Sequence, residues 1–168
     1  MTKATLNDID IILEQDMSAS ALAEHLRQAY FEISDEQEES FSVLIYKHKC
    51  LVSIEPKRKA IRLSMIDHLA DYNEHLYARL FMVVNEANAS LVNVSSFIFT
   101  HEHEGEEHIM LRVDQYISYH TALIMPQFVR LLRQFEEIDI EIFFNIMMPA
   151  VDYQADDTLQ DDSDKLWN

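Results

Sequence analysis

Apolar residues recur along the chain at two different periods, and the changes of period mark out its elements. Leu6, Ile9, Ile12 and Leu13 fall at helical spacing between Leu6 and Gln15, with Thr5 or Asn7 placed to cap the start. Ser18 or Ser20 can cap a second predicted helix, whose stripe is Leu22, Leu26, Ala29, Tyr30 and Ile33. Ser34 to Ser40 is acidic and lacks an apolar anchor, which predicts a solvated loop. The period then shortens to two. Phe41 to Lys47, Lys49 to Ile54 and, after a turn at Pro56 to Lys59, the alternating Ile61, Leu63 and Met65 predict three antiparallel strands.

Between Asn73 and Ala89 the helical period returns on Leu76, Leu80, Val83, Val84 and Ala87, widened by Tyr77 and Phe81. Its apolar arc is too wide for a surface helix, so it is expected to lie across a sheet or between subunits. Val92 to His101 and His108 to His120 alternate as strands, and the connection Glu102 to Glu107, which holds Gly105, predicts a β-hairpin turn. Pro126 opens a last long helix with a stripe of Phe128, Leu131, Leu132, Phe135, Ile138 and Ile142. The expected organisation is one α+β domain over residues 1–150, an antiparallel sheet covered by helices, and an acidic, disordered tail over 151–168.

Composition narrows the chemistry. With Gly105 as the single glycine, the chain cannot build a phosphate cradle, a dinucleotide-binding turn or a nucleophile elbow, each of which needs glycine where backbone meets ligand. One cysteine, Cys50, excludes an intramolecular disulfide and a multi-cysteine zinc site, and its place in a predicted strand assigns it to the core. That usage suits a reducing compartment, with the cytoplasm expected. No signal-peptide pattern and no apolar run long enough to span a membrane is found. A net charge of −17 disfavours nucleic acid and anionic lipid as partners, the one basic group being Lys57, Arg58 and Lys59 beside Lys47 and Lys49.

The stretch from Ala60 to Asn145 resembles the YbjN-like family of small bacterial proteins, proposed sensory transduction regulators. The likeness rests on the strand AIRLSMI, the helix ending in Asn85, Glu86, Ala87 and Asn88, the hairpin, the run RVDQYISYHTALI and the final helix. It implies a fold similar to type III secretion chaperones, often dimeric, with no established catalytic residues.

The most suggestive cluster is His101, Glu102, His103, Glu104, Glu106, Glu107 and His108. Residues two apart share a strand face, so His101 and His103, with His108 from the partner strand, could make a three-histidine site for zinc or nickel; the alternative is a hydrophilic hairpin tip. Asn85 and Asn88 could offer amides to a ligand but read as helix terminators. His68, Asp71 and His75 fall in an expected loop and helix start, close enough for a base, an orienter or a metal pair, but have no nucleophile beside them and read as surface residues. Met65, Met82 and Met110 read as packing, while Phe144, Met147, Met148 and, in the tail, Trp167 are the candidates for partner contact.

These readings lead to a chain without catalytic residues or cofactor that binds another protein and forms a homodimer. A dedicated type III secretion chaperone and a metal-binding protein using the histidine hairpin are the alternatives.

Overall fold

The computed structural model describes residues 10–157. Its main feature is a six-stranded sheet in the order β2-β3-β4-β5-β7-β6, with a separate two-stranded pair of β1 and β8. The strands are β1 (Ile11–Leu13), β2 (Glu32–Ser34), β3 (Ser40–Ile45), β4 (His48–Glu55), β5 (Ala60–Asp71), β6 (Val94–His103), β7 (Glu106–Ser118) and β8 (Ala122–Ile124). The helices are α1 (Ala19–Gln28), α2 (Glu74–Ser90), α3 (Met125–Glu141) and α4 (Met148–Asp157), the last two joined by a π-helical turn at Ile142–Met147. β2 to β5 pair antiparallel in sequence order. β5 and β7 also run antiparallel, since Tyr119 N–H donates to Lys59 O at one end and Tyr72 N–H to Glu107 O at the other. The α+β expectation thus holds. The described residues pack as two compact units, one of the residues up to Met65 with Asp114–Glu137 and one of Ile66–Val113 with the residues from Ile138 on.

In the first unit the helix expected over residues 6–15 gives way, where it is described, to strand: Ile11–Leu13 pair with Ala122–Ile124, leaving Ile12 buried and its neighbours exposed. Three consecutive apolar residues satisfy either period, and the partner strand decides. α1 starts at Ser18, whose Oγ accepts the Ala21 N–H at 3.1 Å. It ends in a Schellman motif, Phe31 N–H bonding Leu26 O and Tyr30 N–H bonding Arg27 O, with Tyr30 left-handed at φ 66°. Ile33, counted in the helical stripe, therefore lies in β2, paired with Val43. α1 packs on β2, β3 and β4. The core gathers Leu22, Leu26, Phe41, Val52, Leu63, Phe128 and Phe135, and Cys50 is buried in it as expected.

Among the described residues four polar side chains enter this core, from Ser42, Ser64, Asp114 and Glu136. Ser64 Oγ donates to Asp114 Oδ1 at 2.6 Å, both buried. Glu136 is buried on α3, and desolvation pushes its carboxyl above the ordinary value, partly opposed by His48 and reinforced by Glu137.

In the second unit Asn73 caps α2, its Oδ1 accepting the Leu76 N–H at 3.0 Å. α2 lies on β6 and against α4, burying Leu76, Leu80, Val84 and Ala87. Asn88 does not terminate it. Its Nδ2 donates to Ser96 O and its Oδ1 accepts Ser96 N–H, each at 2.8 Å, and the left-handed residue is Asn93 instead, at φ 62°. Arg79 donates to Ala150 O at 3.2 Å, tying α2 to α4.

Pro149 shapes the end of the chain. It has no N–H to give the carbonyl of residue 145 and its ring crowds that carbonyl, so the preceding turn widens and Met148 N–H reaches back five residues to Phe143 O. The wide turn moves the inward position from Ile146 to Met147. Met147, expected to be available to a partner, is therefore fully buried, as is Ile142. The helix also continues to Asp157, past the boundary expected at 150, while the rest of the tail, including Trp167, lies outside the described residues. Met82 departs from expectation in the other direction and is exposed.

Candidate functional site

The β6–β7 hairpin turns on Glu104 and Gly105, both at positive φ (54° and 85°), the signature of a type I′ turn. A two-residue turn sets His103 opposite Glu106 and His101 opposite His108. Side chains then alternate. Val94, Ser96 and Ile98 of β6, with Ile109, Leu111 and Val113 of β7, are buried on the side where Ser96 meets Asn88 of α2. The opposite side of the sheet carries Phe97, Phe99 and His101 from β6, His108, Met110 and Arg112 from β7, and Ile66 and His68 from β5. Among the described residues no element of this unit roofs the apolar part of that side: Ile66 is 50% exposed and Phe97 48%.

His108 does not gather with His101 and His103. Its Nδ1 lies 3.1 Å from Asp71 Oδ1, and His68 Nε2 lies 3.9 Å from the same oxygen. The two imidazoles meet edge to face with centroids 5.1 Å apart. One ligand atom from each of His68, Asp71 and His108 falls within 4.8 Å of the others. His103 Nε2 instead faces its neighbour Glu104 at 3.9 Å, and both its ring and that of His101 are exposed. Placing His68 and Asp71 in a loop hid this cluster, because β5 runs on through Asp71 and brings both beside β7. The legible signal was the alternation of Ile66, His68 and Ala70 beyond Met65.

The remaining candidates fall elsewhere. Phe144 is exposed and packs edge to face on Phe143, while Met148 is half-buried. The basic turn at Lys57 to Lys59 is offset by acids: Arg58 pairs with Glu55 at 3.3 Å and Lys59 with Glu14 at 2.6 Å, which leaves little positive field for a phosphate. Among the described residues no helix is long and apolar enough to cross a membrane.

No family model and no curated protein matches the chain. Among solved structures it is similar to YbjN from E. coli, a proposed transcription regulator, at a TM-score of 0.58 and 18% identity over 80% of this chain and 92% of that one. The order of strands and helices derived above and this similarity agree: the chain has a YbjN-like fold.

Proposed function

We propose that this chain is a non-enzymatic regulator that works by binding another protein, and that the partner sits on the open side of the sheet in the second unit. The observation that carries this reading is the exposure of Ile66 and Phe97 on one side of β5 and β6, with Phe99 and Met110 between and beside them. Large apolar side chains grouped on one face hold ordered water at a cost that a partner's surface relieves. Acidic residues around the face would add selectivity by repelling acidic partners. The description of E. coli YbjN as a proposed transcription regulator fits a regulatory role. A second copy of the chain is one protein such a face would accept, giving the dimer, and a reducing compartment such as the cytosol suits the single, buried Cys50.

The test is an affinity capture from the source cell with the full chain and with the Ile66→Glu, Phe97→Glu double variant, alongside light scattering of each. Partner recovery or self-association should fall at least about tenfold in the variant, since a charge driven into an apolar contact costs several kcal/mol. Equal recovery and equal mass for both proteins, with matching circular dichroism, would remove the face from the reading.

A further inference from the structure

We propose that His68, Asp71 and His108 form a binding site for a divalent transition metal ion of zinc type, held by two imidazole nitrogens and one carboxylate oxygen. The inference does not rest on the partner-binding reading, although His68 and His108 lie on the same side of the sheet as Ile66.

The donor set selects the ion. Two nitrogens and one oxygen suit zinc, cobalt, nickel or copper, whereas calcium and magnesium require a shell of oxygens. The spacing fits as well. In a tetrahedral site with bonds of about 2.0–2.1 Å the ligand atoms stand roughly 3.3 Å apart, and here the two separations to Asp71 Oδ1 are 3.1 and 3.9 Å. A rotamer adjustment of the exposed His68 ring closes the difference. Three protein ligands leave the fourth position to water, the arrangement of an open rather than a closed zinc site.

The site has one sheltered member and two exposed ones. His108 is 17% exposed and anchored on β7 in the interior of the hairpin, while Asp71, at 87%, stands at the end of β5 where an ion can reach it from solvent. The net charge of −17 raises the local concentration of any cation. Without the metal, His108 and Asp71 hold each other; with it, the ion takes the place of the shared proton.

The experiment is a titration of the full chain with Zn²⁺ against a chromophoric chelator near pH 7.5, repeated with Co²⁺ to read coordination from its visible absorption. One equivalent should bind, unaffected by excess Mg²⁺ or Ca²⁺. His68→Ala and His108→Ala should each weaken it at least about tenfold, and so should Asp71→Asn, a change at an exposed side chain that keeps the fold by circular dichroism. The His101→Ala, His103→Ala double variant should bind like the parent. Failure of the parent chain to bind one equivalent, survival of that equivalent in the Asp71→Asn and His68→Ala variants, or its loss in the hairpin double variant instead, would each overturn the proposal.

Discussion

The side-chain amide of Asn88 closes a hydrogen-bonded ring with the backbone of Ser96, imitating a strand neighbour from the side of a helix. Ser96 is wholly buried, so Asn88→Ala would strand one N–H and one C=O without solvent. Each orphaned group costs about 1–3 kcal/mol, and the expected loss is about 2–4 kcal/mol by urea denaturation. Asn85→Ala, at an exposed position of the same helix, should change stability by less than about 0.5 kcal/mol. Equal effects from the two variants would refute the role assigned to the ring.

Glu136 gives a pH dependence whose sign follows from its burial. Its carboxyl is raised in the folded chain, so over the interval from the ordinary glutamate value up to the raised one the folded state holds the proton that the unfolded state has released. The contribution of this group to stability is therefore greatest in acid, declines as pH climbs through that interval, and is unfavourable above it. Glu136→Gln should raise Tm at neutral pH and flatten the decline, read from melting curves at a series of pH values. A neutral-pH Tm that falls in the variant would show that the charged form is paid for by contacts stronger than its burial cost.

Met147 and Phe144 sit three residues apart with opposite surroundings. Met147→Ala should open a cavity and cost about 2–5 kcal/mol, whereas Phe144→Ala, at an exposed ring, should cost well under about 1 kcal/mol. Denaturant midpoints distinguish the two, and a reversed order would place the inward position elsewhere in the turn.

Tyr46 reverses the chain between β3 and β4 at φ 49° while 80% exposed. A left-handed residue other than glycine costs about 1–2 kcal/mol, against which glycine's extra freedom when unfolded sets about 0.5–1. Tyr46→Gly should stabilise by about 0.5–1 kcal/mol, and Tyr46→Val, stiff at its branched Cβ, should destabilise. Calorimetry of both variants reads the sign directly.

Much of the fold was legible because period and punctuation agreed. Asn73 before a wide apolar arc marked α2, and Gly105 between alternating runs marked the hairpin. Elements failed where local pattern was silent or ambiguous. Ile11–Leu13 fits helix or strand until Ala122–Ile124 is brought beside it, and Tyr30 ends α1 in a conformation usually advertised by glycine. The candidate metal cluster failed for a related reason. His108 was visible, but its neighbours His68 and Asp71 lie 40 and 37 residues away, and only the register of β5 on β7 joins them. Within the hairpin, sequence proximity pointed to His101 and His103, whose rings the strand geometry leaves to solvent.

The widened turn ahead of Pro149 acts as a phase shifter between the end of α3 and the start of α4. Beyond it Met148 to Asp152 are displaced around the axis by about one residue's worth of rotation, roughly 100°. Shortening the stretch between Ile142 and Met147 by one residue would thus restore a uniform wheel and swing Ala150, whose carbonyl Arg79 holds, away from its partner.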